Sequence, residues 1–122
     1  MEKNEMTIVS NWLEKLLCVD FKGKSIVIEQ LNHSSMSFNQ HYAYISIKFC
    51  VQSDCPRFEY NVRVPVEMVE WQRNSVPIIF LLHIVDGFLD ELEVVMMDST
   101  KIDIYDVQLN NLEFDIDEAV AL

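Results

Sequence analysis

The chain has 122 residues, half of them hydrophobic and 24% charged, with only two glycines and three prolines and a formal net charge of −11. One domain of this size can bury a core without staples, and the composition excludes low-complexity and linker-rich classes. A surface this negative repels phosphate backbones and anionic membranes, which argues against direct nucleic-acid or membrane-surface binding. The longest apolar stretch, Val76 to Val85, includes His83 and is half the roughly 20 residues a membrane span needs. The first residues, MEKNEM, are charged and lack the apolar region of a secretion signal, so a cytoplasmic location is expected.

Residues Asn4 to Cys18 read as an amphipathic helix, with Ile8, Trp12 and Leu16 on one row, Val9, Leu13 and Leu17 on the next, and Asn4 as N-cap. Gly23 turns the chain. Ser25 to Leu31 reads as a strand because Ile26, Val27 and Ile28 are β-branched, and the polar, serine-rich Asn32 to Gln40 reads as a loop. Tyr42 to Val51 and Phe58 to Val66 alternate with period two and suggest an antiparallel hairpin joined through Gln52 to Arg57. Glu67 to Arg73 fits either a helical turn or irregular chain. Ile78 to Val85 reads as a strand buried on both faces.

Asp86-Gly87 between apolar runs marks a tight hairpin turn, followed by a strand from Phe88 to Met97 with Leu92, Val94 and Met96 on one face and Leu89, Glu91, Glu93, Val95 and Met97 on the other. Ile102, Ile104 and Val107 suggest a short last element. Leu112, Phe114 and Ile116 alternate with Glu113, Asp115 and Asp117, as in an edge strand with an acidic outer face, and residues 118–122 are expected to fray. The expected fold is α+β over residues 1–122 as a single domain: one mainly antiparallel sheet with the N-terminal amphipathic helix on one face.

The charge is clustered. Met1 to Val85 carries nine acidic and eight basic residues, whereas Asp86 to Leu122 carries eleven acidic residues and one basic residue, Lys101. Such a field keeps an apolar chain soluble, and its clustering favours fast encounter with a basic partner. Motifs for chemistry are missing. Neither glycine lies in a phosphate-binding loop, and the histidines, His33, His41 and His83, show no metal-ligand spacing, so no metal, cofactor or catalytic residue is assigned. Asp98, Asp103 and Asp106 lack the calcium-loop pattern. Cys18 and Cys50 read as small core residues and Cys55 as exposed, all three as reduced thiols. His83 reads as a hydrogen-bonded core histidine.

At Leu81 to Val95 the sequence runs LLHIVDGFLDELEVV. The Asp-Gly turn followed by Asp-Glu-Leu-Glu resembles a segment of immunity proteins from bacterial contact-dependent growth inhibition and related polymorphic toxin systems, over about 15 residues. The resemblance implies a non-enzymatic cytoplasmic protein that binds one cognate toxin domain and blocks it. The charge points independently to a basic partner, such as a nuclease with a phosphate-binding cleft. Asp90, Glu91, Glu93, Asp98, Asp103 and Asp106 are then the expected partner-binding acids, with Phe88 or Tyr105 as an aromatic anchor. Two other readings stay open: an adaptor or assembly subunit docking through an acidic edge strand, and a small ligand-binding domain with a pocket between helix and sheet. Neither the oligomeric state nor the helix-covered face of the sheet can be read from the sequence.

Overall fold

The computed structural model describes residues 1–72 and 76–122. Two helices, α1 (Lys3–Leu16) and α2 (Lys24–Asn32), precede six strands: β1 (Ser34–Gln40), β2 (Tyr44–Val51), β3 (Val66–Glu70), β4 (Ile78–Val85), β5 (Phe88–Met96) and β6 (Leu112–Ile116). A 3-10 turn at Ile104–Asp106 lies between β5 and β6. The strands form one sheet in the order β1-β2-β5-β4-β3-β6, with every neighbouring pair antiparallel. The α+β fold with an N-terminal helix on the sheet is as expected.

In α1, Val9, Trp12, Leu13 and Leu16 share one face, and all four are buried. Trp12 meets Phe80 of β4 edge-on at 5.5 Å between ring centres, a favourable aromatic geometry. Glu2, and not Asn4, precedes the first turn, and the Glu5 carboxylate accepts the Glu2 N–H at 3.0 Å. The helices cover the sheet face that carries Ile45, Ile47, Met68, Phe80, Leu82, Leu92 and Val94, all buried to within 1% of full burial.

Four expectations about elements fail. Residues 25–31 form α2, not a strand. The helical spacing turns Val27 and Gln30 to the sheet and leaves Ile28 outside, so tertiary burial outweighs the β-branched propensity of Ile26 to Ile28. The expected serine-rich loop contains β1, in which half-buried Met36 and Phe38 alternate with exposed Ser35, Ser37 and Asn39. The expected hairpin does not exist, because β2 pairs with β1 and β5. Most of the Phe58 to Val66 run is irregular chain across the end of the β4–β5 hairpin: Phe58 and Val62 both enter the core, the Val62 N–H bonds to Tyr60 O at 3.0 Å, and only Val66 joins a strand. The ambiguous segment from Glu67 is strand β3 up to Glu70, and its last residue, Arg73, lies outside the described residues.

The Asp86-Gly87 turn is as expected, with φ of 53° and 84° at its two residues. Beyond it, Ile84 pairs with Leu89 and His83 with Glu91, which leaves Asp90 as the extra residue of a β-bulge. The bulge shifts the side-chain phase and sends Leu89 into the core beside Leu92, not outward with Glu91. In β4 only Ile78, Phe80, Leu82 and Ile84 are buried; the other face is half-buried. The chain end is anchored: Val120 is fully buried and its carbonyl accepts the Lys22 N–H at 2.8 Å, so the expected fraying of 118–122 fails at Val120. Cys18 and Cys50 are exposed, since Cys18 follows the end of α1 and Cys50 lies on the uncovered face of β2, while Cys55 is half-buried.

Candidate functional site

No helix covers the second face of the sheet, and the strand registers lay its side chains out in rows. One row runs Ser37, Lys48, Glu91, His83. The next runs Asn39, Ser46, Glu93, Leu81, Glu67, Asp115. A third runs Tyr44, Val95, Ile79, Val69, Glu113. Opposite side chains on one face lie about 5 Å apart, so each row is a continuous surface. The face combines an apolar strip, Val95, Ile79 and Val69, with five carboxylates, and Trp71 flanks it at 47% exposure.

The acids divide into two groups. In the first, every carboxylate has a partner within the chain. Lys48 Nζ lies 3.6 Å from Glu91 and 3.7 Å from Asp90. Ser46, buried between the strands, donates to Glu91 as well. His83 lies 3.1 Å from Glu93, and Arg63 Nε donates to His83 Nδ1 at 3.2 Å. That donor makes Nδ1 the acceptor, so the Nε2–H points at Glu93. His83 is hydrogen-bonded as expected, but on the uncovered face and not in the core.

The second group is Glu67, Asp115 and Glu113, on β3 and β6. Among the described residues none of these three forms an ion pair. Glu113 accepts the Trp71 indole N–H at 2.7 Å, which leaves the carboxylate charge uncompensated and fixes the ring beside it. Among the described residues, Glu67, Asp115 and Glu113 therefore form a cluster of carboxylates without a cation on this face, with a fixed aromatic ring at its border. Glu67 was not singled out from the sequence. The signal was present, because Val66 and Met68 alternate with Glu67 and Val69.

The eight residues expected to bind a partner do not form one surface. Phe88, Asp90, Glu91 and Glu93 lie on β5, Phe88 beneath the Arg57 guanidinium at 5.8 Å. Asp98, Asp103, Tyr105 and Asp106 follow the far end of that strand, about 20 Å away at the usual rise. They also have local duties. Asp98 accepts from the Thr100 hydroxyl and N–H, and these hydrogen bonds hold its carboxyl below the usual carboxylate range. Asp103 caps the 3-10 turn by accepting the Tyr105 N–H, and Tyr105 reaches Glu2 at the start of α1, 3.4 Å away. The 3-10 turn with Asp103, Tyr105 and Asp106 thus sits beside α1, on the helix side of the molecule.

Two buried polar residues have structural work instead. Glu70, 2% exposed, accepts the N–H groups of Asn110 and Asn111, which holds the chain entering β6. Gln30, 1% exposed, donates to Pro56 O and Gly87 O and accepts from the Leu89 N–H. Among the described residues no group of three His, Cys, Asp or Glu side chains is placed to hold a metal, and no helix is long and apolar enough to cross a membrane. No protein-family model, no curated protein and no solved structure matches this chain.

Proposed function

We propose that the protein is a non-catalytic, immunity-type inhibitor that docks the uncovered face of its sheet on a basic toxin domain. The observation that carries this reading is the row Glu93, Leu81, Glu67, Asp115, with Glu113 beside it: carboxylates and apolar groups in register on a rigid, uncovered sheet. A rigid acidic surface steers a basic partner to it, and its central apolar strip supplies area that water leaves on contact. A nuclease fits because its substrate cleft must attract phosphates, and fixed carboxylates occupy such a cleft. The short likeness at Leu81 to Val95 to toxin-immunity proteins agrees with this partner class. Docking through the β6 edge alone, as an assembly subunit would do, is the second reading, favoured by the position of β6 at the margin of the sheet.

The test is capture of partners by the tagged protein at low and moderate salt, with identification by mass, followed by co-expression with whatever is captured. A single basic domain that is retained at moderate salt, and is toxic to cells unless this protein accompanies it, supports the proposal. Many proteins released together as salt rises would mean that the acids serve solubility only.

A further inference from the structure

The two margins of the sheet differ. At β6 the exposed side chains are Glu113 and Asp115, followed by Asp117 and Glu118, charges that keep an edge from pairing with a copy of itself. At the opposite margin β1 reads Ser-Ser-Met-Ser-Phe-Asn-Gln: seven residues without a charge, in a chain of net −11. It carries no proline and no bulge, and its register with β2 is unbroken from Ser34 to Gln40.

The hydrogen-bond phase shows which backbone groups are free. The His41 N–H bonds to Tyr44 O at 2.9 Å, and the Gln52 N–H bonds to His33 O at 3.0 Å. Residues 33 and 41 thus bond inward to β2, and so do the alternate positions Ser35, Ser37 and Asn39. Ser34, Met36, Phe38 and Gln40 point their N–H and C=O groups outward, where no described strand lies.

We propose that a second copy of this chain pairs with β1 in antiparallel fashion, with the two-fold axis at Ser37. In this register the outward positions meet each other: Ser34 opposite Gln40 and Met36 opposite Phe38 of the second copy, each pair exchanging two backbone hydrogen bonds. Side chains match as well. Met36 and Phe38 meet on the helix side, and Ser35 meets Asn39 on the uncovered side. The apolar pair abuts a groove of about 440 Å³ lined in part by Leu13, Leu17, Ile28, Leu31 and Met36, whose Ile28 is 37% exposed. A second copy is favoured over a foreign strand because the match is self-complementary in both backbone phase and side chains. The acidic β3–β6 end lies at the far margin of each copy, where repulsion between copies is weakest, and it stays free for another partner.

Sedimentation of the full chain over a range of concentrations, combined with disulfide trapping, tests this. The trapping uses a background in which Cys18, Cys50 and Cys55 are serine. Ser37 meets its own copy in a non-hydrogen-bonded pair, about 4.5 Å between Cα atoms, within disulfide reach. The expected result is a reversible dimer that Ser37→Cys locks on oxidation and Ser35→Cys does not. Phe38→Pro, which removes an outward N–H and the half-buried ring but leaves every β1–β2 hydrogen bond in place, is expected to give a folded monomer. A chain that stays monomeric at every concentration would overturn the proposal. So would trapping through Ser35→Cys in preference to Ser37→Cys, or a dimer that Phe38→Pro leaves intact.

Discussion

Gln30 reaches three backbone groups at once: Pro56 O at 2.7 Å, Gly87 O at 2.9 Å and the Leu89 N–H at 2.9 Å. These belong to the irregular segment after β2, the β4–β5 turn and the second residue of β5, so one side chain of α2 ties three parts of the chain together. Gln30→Leu keeps the volume but strands buried polar groups, and should cost about 2–4 kcal/mol. Urea unfolding reads this as a lower midpoint with unchanged slope; an unchanged midpoint would show that the three bonds contribute nothing net. Asp98 makes a smaller, pH-dependent contribution. Its carboxyl is held low by Thr100, so its stabilisation is present above the ordinary carboxylate pKa of about 3.9 and is lost as pH falls through the lower folded value. A carbon-detected titration should place Asp98 below that ordinary value, and removal of the hydroxyl by Thr100→Val should move it back up.

At the level of elements, the turn and the bulge act together. Asp86 and Gly87 both hold positive φ, and Asp90 then adds the extra residue that returns Leu89 to the core. A Cβ at Gly87 would meet Arg57 Nε at 3.0 Å and Phe58 O at 3.2 Å, and the residue would sit at φ 84°. Gly87→Ala should therefore destabilise by about 1–2 kcal/mol, measurable as a fall in melting temperature. No fall would mean that the turn relaxes without strain. While β4 was legible from its unbroken apolar run, the period of the apolar residues made α1, β2 and β6 legible, and β5 beyond its bulge. It failed where a contact distant in sequence decides the outcome. Gln30 needs helical spacing to reach its three partners, and nothing local to Ile26-Val27-Ile28 signals that. Phe58 to Val66 has perfect alternation, yet β1 takes the place beside β2, and Pro65 ends the irregular run. The polar composition of β1 concealed Met36 and Phe38, which carry its period.

For the molecule as a whole, the decisive property is where charge remains after internal pairing. The sequence located the acids in the last third of the chain, and the sheet then redistributed their importance. Glu91 shares Lys48, Glu93 accepts from His83 and Asp103 caps the 3-10 turn, whereas on the uncovered face Glu67, from the nearly neutral first part, forms no ion pair among the described residues, and neither do Glu113 and Asp115. One sequence shows neither the β3–β6 pairing that brings these three together nor the Lys48 and His83 contacts that hold Glu91 and Glu93. The most direct test of docking through the uncovered face is the dissociation constant of the captured basic domain, measured for the wild-type chain and for two double variants. Glu67→Lys with Asp115→Lys should weaken binding about tenfold or more, mainly through slower association at low salt. Asp103→Lys with Asp106→Lys, the same change in net charge on the helix side, should leave affinity within about threefold, as screening over a distance greater than the Debye length allows. Binding that survives the first pair and collapses with the second would contradict the account and move the interface to the helix side.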